Sequence, residues 1–313
     1  MLDKFFEGIG TKLADRWGEV SGPALAYWFA AALLWTLGHG GFAGLRSRLQ
    51  SLSNDGPITQ IVAVVGCLVV VSGSVIVVEW TTKFVTSWLG GSWPRWAERQ
   101  RVRRVAQVAR HVEKLDAEWQ SVMQRAREST PPNSTDELRS IELDRQLHEY
   151  PSRVHQLMPT RLGNILRSSE SRIFERYGLE NSVVWPRLWL VLPDSAKVEL
   201  SAAWSSMGTA SSVMVWSVLL LPLAYVSPFA ILATAVGLLA AWVWLPDRAR
   251  TFAGLLEASF DVYRTDLYLA IRWPLPSTVQ DEPEIGRRLT EFLFRGTAAS
   301  PVWLTRPHER DHG

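Results

Sequence analysis

No Asp, Glu, Lys or Arg falls between Glu199 and Asp247, and this charge-free run constrains the chain more than any other stretch. A bilayer core is crossed by roughly 20 helical residues, so the run holds two crossings and a turn. Pro222 and Val226-Ser227-Pro228 mark the turn, which predicts helices from Trp204 to Tyr225 and from Phe229 to Leu245. A helix of a soluble protein keeps a wet face, and this run offers none.

Two further uncharged stretches have the same character. Pro23 to Leu45 reads as a first crossing and ends in Gly38-His39-Gly40-Gly41-Phe42-Ala43-Gly44. That glycine run follows a helix and has no Lys-Ser/Thr after it, so it terminates the helix and cradles no phosphate. His39 reads as a polar cap there. Ile58 to Val78 is a second crossing, and its Gly66, Ser72, Gly73 and Ser74 form a small-residue patch suited to close helix contact. Beyond it, Glu79 and Lys83 sit one turn apart, where they can pair, and the helix can run on to Leu89 before Gly90-Gly91. Of the 16 tryptophans, Trp80, Trp88, Trp93, Trp96, Trp185, Trp189, Trp204, Trp242 and Trp244 cluster at the ends of apolar blocks, where amphipathic rings meet headgroups.

The flanks set an orientation. Arg95, Arg99, Arg101, Arg103 and Arg104 crowd the exit of the second crossing and read as headgroup contacts. Lys4, Lys12 and Arg16 precede the first crossing, Lys197 precedes the third, and Arg248 and Arg250 follow the fourth. The opposite side carries only Arg46 and Arg48. The positive-inside rule therefore puts both termini and the centre of the chain in the cytosol, which four crossings allow. The predicted location is the inner (plasma) membrane.

The expected fold is an all-α integral membrane protein with four transmembrane helices in two hairpins. Residues 1–21 form an amphipathic helix, lying in the interface or packed on the cytosolic part. Residues 22–94 are the first hairpin and 95–199 a cytosolic helical domain. Residues 200–246 are the second hairpin, and 247–313 are cytosolic amphipathic helices with a loose tail. Within the insert, Val105, Val108, Val112, Leu115, Trp119, Val122 and Ala126 step alternately by three and four along a rod over 96–127. That is a coiled-coil seam, whose partner is another subunit, another protein, or a helix of the same chain. Thr160 caps a later helix that Gly178 ends. Trp185, Leu188, Trp189 and Leu192 share a face, read as a juxtamembrane helix in the plane of the interface.

The chemistry-bearing patterns are few. P-loop, HExxH, GxSxG and kinase signatures are absent, and the single Cys67 excludes an intrachain disulfide or Cys/His metal pattern. No catalytic residue, metal or cofactor is assigned, and no nucleic-acid partner is expected. Glu257, Asp261 and Asp266 could hold a divalent ion but read as a solvated helix face. The histidines of the tail, His308 and His312, read as polar sequence. Arg161, Arg167, Arg172 and Arg176 share one helix and could bind a phosphorylated ligand, or pair with Glu257, Asp261 or Asp266. Ser205, Thr209 and Ser212 line one side of the third crossing, as a pore lining or a helix-packing face. No ionisable residue lies mid-span, which disfavours a charge-coupled transporter.

These features point to a non-enzymatic membrane protein whose cytosolic helices sense or scaffold a partner. Two helical hairpins separated by a helical insert also resemble bestrophin-type channels in topology and length. The resemblance covers architecture alone, without that family's sequence motifs, and implies an oligomeric ion channel as the alternative.

Overall fold

A computed structural model describes residues 24–36, 38, 56–128 and 134–296. Among them every regular element is helical: α1 (Ala24–Thr36), α2 (Pro57–Leu89), α3 (Glu98–Glu128), α4 (Ser134–Leu147), α5 (Arg161–Tyr177), α6 (Asn181–Val191), α7 (Asp194–Leu219), α8 (Phe229–Ile271) and α9 (Glu282–Arg295). Three helical stretches, Ile58–Leu89, Asp194–Tyr225 and Phe229–Ile271, are long and apolar enough to cross a membrane. The expected first crossing is described only as α1, which is shorter than a span. The remainder of Pro23–Leu45, the amphipathic segment 1–21 and the tail from 297 lie outside the described residues.

The chain divides into two compact units. One holds residues 1–86 and 207–245, the other 87–206 and 246–313.

In the first unit α1 packs through Ala24 with Val78 of α2 and Val215 and Trp216 of α7. Tyr27 lies against the Trp216 ring at 4.7 Å and donates to the Leu219 carbonyl at 3.0 Å. Trp28 Nε1 donates to Ser74 Oγ at 3.0 Å, whereas a Cβ at Gly66 or Gly73 would meet nothing within 4 Å, so of the small-residue patch of α2 this contact involves Ser74 and neither glycine. Thr234 of α8 donates to the Ser217 carbonyl at 3.0 Å. Only 6% of the most apolar window of α2 is buried, against 39% for the Asp194–Tyr225 stretch. Such a surface of Ile, Val and Leu is stable in lipid and costly in water.

The second unit has a globular core. Leu188 and Val184 of α6, Leu200 of α7, Leu256, Phe260 and Leu267 of α8, and Leu289 of α9 are buried together. Trp185 stacks on Phe260 at 6.2 Å. The face read as lying in the membrane interface therefore packs into this core instead, because an apolar stripe is equally satisfied by lipid or by neighbouring helices.

α3 and α4 form an antiparallel hairpin. Leu115 and Val122 bury against Leu143, with Trp119 at the edge, while Glu118 takes Arg139 at 2.6 Å. The lower half of the predicted seam is thus filled by the chain itself. Val105, Val108 and Val112 above it are half-buried.

Two boundaries differ from expectation. α8 is one helix through Pro246, where a break was expected between Leu245 and Asp247. A proline forfeits one backbone bond and strains the preceding turn, about 3 kcal/mol, and burial on both sides offsets that. Ala241 and Leu245 before it, and Ala249 and Ala253 after it, are all buried. α7 likewise starts at Asp194, ahead of the charge-free run, since Asp194 complements the helix N-terminus.

Thr160 ties elements together at the start of α5. Its hydroxyl accepts from the Gly163 amide at 3.1 Å and donates to the Leu89 carbonyl at the end of α2. Thr160→Ala should cost about 1 kcal/mol, read as a lower midpoint in thermal unfolding of the detergent-solubilised chain.

Candidate functional site

The four arginines of α5 go to four places. Arg167 pairs with Glu170 at 2.8 Å, and Glu170 also accepts from Asn181 at 3.1 Å. Arg172 grips Glu257 of α8 at 2.5 Å and donates to the His148 carbonyl at 2.7 Å. Arg176 reaches Asp261 at 3.3 Å, which also accepts from Tyr177 at 2.5 Å. Arg161 pairs with Glu149 at 2.9 Å.

Glu149 is the residue that sequence reading missed. It follows α4 within two residues, in a turn where the Tyr150 amide reaches the Leu147 carbonyl. Only 8% of it is exposed, and its carboxylate accepts from Arg161 of α5 and, at 2.7 Å, from Arg250 of α8. Arg250 is held on its other side by Asp247. One carboxylate thus joins the turn after α4, the start of α5 and, 101 residues away, α8. Burial pushes its carboxyl up, but the two arginine hydrogen bonds outweigh it and hold it below the ordinary 4.5. A glutamate near a helix end is ordinary in sequence, and nothing local distinguishes this one.

The paired side chains wall a cleft of about 340 Å³ between the end of α4, α5 and α8. Arg145, Glu149, Arg172, Arg250, Glu257 and Asp261 supply its charges beside the His148 imidazole, and Ala253, Gly254 and Ala258 keep its α8 wall low. Of the four arginines of α5 only Arg172 lines it; Arg161, Arg167 and Arg176 do not. Glu257 is half-buried against Arg172, which departs from its reading as part of a solvated face, whereas Asp261 pairs with Arg176 and stays exposed, as Asp266 does. Among the described residues no three His, Cys, Asp or Glu side chains gather as metal ligands.

The other predicted residues are placed as follows. Ser205 and Thr209 are exposed on α7 and Ser212 is half-buried, while Ala203, Met207, Ala210 and Ser211 form the buried line of that helix. Arg95, Arg99, Arg103 and Arg104 are exposed, and Arg101 is paired with Glu98 at 3.0 Å. A second hollow of about 360 Å³, lined by Phe174, Val183 and Phe294 with Arg287 and Glu291, lies along α9.

No protein-family model, curated protein or solved structure matches the chain.

Proposed function

We propose that the chain is a non-enzymatic, multi-pass inner-membrane protein with four crossings and both ends in the cytosol, whose helical unit outside the bilayer senses or scaffolds a partner. The three apolar helices and their basic flanks support the placement. The observation that carries the function is the Glu149 clamp beside an open cleft. A ligand or partner group bearing a carboxylate or phosphate competes with Glu149 for Arg161 and Arg250, and so loosens the turn after α4 from α8. Subunit pairing through Val105, Val108 and Val112 belongs to the same reading.

A photoreactive amino acid at Gly254 tests this in cells. A side chain there meets nothing within 4 Å, so the probe fits at the cleft wall. The expected result is an adduct of one discrete mass that Arg172→Glu abolishes and Arg167→Glu leaves intact. Absence of any adduct, or an adduct indifferent to both changes, counts against the cleft as the site.

A second reading is an oligomeric channel. It is favoured by the exposure of Ser205 and Thr209, which puts two small polar side chains on the outer face of a membrane-length helix.

A further inference from the structure

Most arginines on α5, α8 and α9 are held by carboxylates, as Arg172 is by Glu257, Arg264 by Glu282 and Arg288 by Glu284. The start of α3 is different. Arg95, Arg99, Arg103 and Arg104 are exposed and carry no ion pair among the described residues. Glu98, the nearest carboxylate in sequence, is occupied by Arg101 at 3.0 Å. Two large apolar side chains stand in the same stretch, Trp96 at 80% exposure and Val102 at 57%. Water solvates the cations well, but it is a poor surrounding for the exposed indole and valine, whereas a headgroup layer suits both kinds of side chain.

The position agrees. The apolar stretch Ile58–Leu89 ends just before this segment. Five residues of chain separate Leu89 from Arg95, a reach of at most about 20 Å. The link cannot swing away freely. Trp93 stacks on Trp88 at 5.3 Å and donates to its carbonyl at 3.0 Å. Gly91, at φ +96°, turns the chain against Met158, and Ala97 is buried. The exposed basic segment is therefore held close to the end of α2.

We infer that Trp96 with Arg95, Arg99, Arg103 and Arg104 is a docking surface for anionic phospholipid headgroups of the bilayer that α2 enters. The guanidinium groups engage lipid phosphates in bidentate hydrogen bonds, and the indole sits at the acyl boundary. The inference rests on α2 being a membrane helix and is independent of what the cleft binds.

The test uses the purified full chain in neutral detergent, titrated with short-chain phosphatidylglycerol or phosphatidylcholine and read by native mass spectrometry. The anionic lipid should bind more tightly. Each single Arg→Gln change at the four positions should weaken it about fivefold, and the quadruple variant should lose the preference. Arg287→Gln with Arg288→Gln, on α9, should leave it intact. Circular dichroism must show wild-type helix content in the quadruple variant. If that variant alone is unfolded, Arg99→Gln with Arg103→Gln carries the test. Equal binding of both lipids by the wild type, or a preference that survives the quadruple change, overturns the inference. So does an RNA oligonucleotide bound through these arginines without lipid preference. Recovery of the chain in a detergent-free soluble fraction would instead remove the bilayer reading of α2.

Discussion

Gly286→Ala should destabilise the second unit by about 3 kcal/mol or more and release α9. α9 crosses the end of α5 at backbone distance. A methyl group on Gly286 would overlap the Tyr177 carbonyl oxygen, and one on Gly178 would overlap the Pro283 carbonyl and sit 2.8 Å from the Arg287 amide. These obstacles are main chain, so no rotamer change relieves them. The crossing is stitched by Thr290, which donates to the Gly178 carbonyl at 3.2 Å and accepts from the Glu180 amide at 3.2 Å. Displacing α9 also uncovers Leu289, which is fully buried, and parts Phe292 from Trp273, whose rings lie 5.1 Å apart. Thermal unfolding should show a large drop in midpoint, and limited proteolysis should cut within residues 274–281. Gly254→Ala is the control, since its Cβ enters open space and alanine favours the helix. A wild-type midpoint for Gly286→Ala would mean that the close crossing is wrong.

Removing the Glu149 carboxylate should have the second-largest effect. Glu149→Ala leaves the Arg161 guanidinium without its carboxylate and Arg250 with Asp247 alone at the junction of α4, α5 and α8. Breaking a buried pair by removing one partner costs about 3–5 kcal/mol. The Arg161 side chain is half exposed and the Arg250 side chain about a third, so water recovers part of that, leaving about 2 kcal/mol. Glu284→Ala, on the exposed surface of α9, should change stability little. The pH dependence has a defined sign. The folded-state pKa of Glu149 lies below its ordinary 4.5. Its contribution is therefore complete above the ordinary carboxylate range and is lost as pH falls through the depressed value. The gap between wild type and Glu149→Ala should narrow only in acid. A gap constant from neutral pH down to strong acid would show that the carboxylate does not act through its charge.

Much of the helical layout is legible in the sequence because helix ends carry local chemistry. Thr160 and Gly178 mark α5 by a hydroxyl cap and a left-handed glycine at φ +70°. The apolar runs mark the membrane-length helices because lipid tolerates no charged face. What local pattern cannot show is which neighbour an element chooses. The Trp185–Leu192 stripe suits lipid or a protein core equally, and packing with α8 and α9 decided it. The heptad seam fits any helical partner, and in its lower half the chain's own α4 supplies one. Pro246 looks like a helix end until burial on both sides is known. Of the arginine helix, the sequence offers pairing with Glu257, Asp261 or Asp266 as an alternative to ligand binding, and the packing of α5 on α8 decides that Arg172 takes Glu257 and Arg176 takes Asp261. Glu149 escaped notice because its role depends on Arg161 and Arg250, 12 and 101 residues away.

If the apolar helices anchor the chain while the outer unit engages a partner, the membrane part has no need to conduct. The purified full chain reconstituted into liposomes gives the most direct answer, through ion flux with chloride and potassium gradients in turn. Flux no greater than in protein-free liposomes is the expected result. A sustained conductance that Ser205→Leu or Thr209→Leu alters would contradict it, and would place the outward polar face of α7 in a pore.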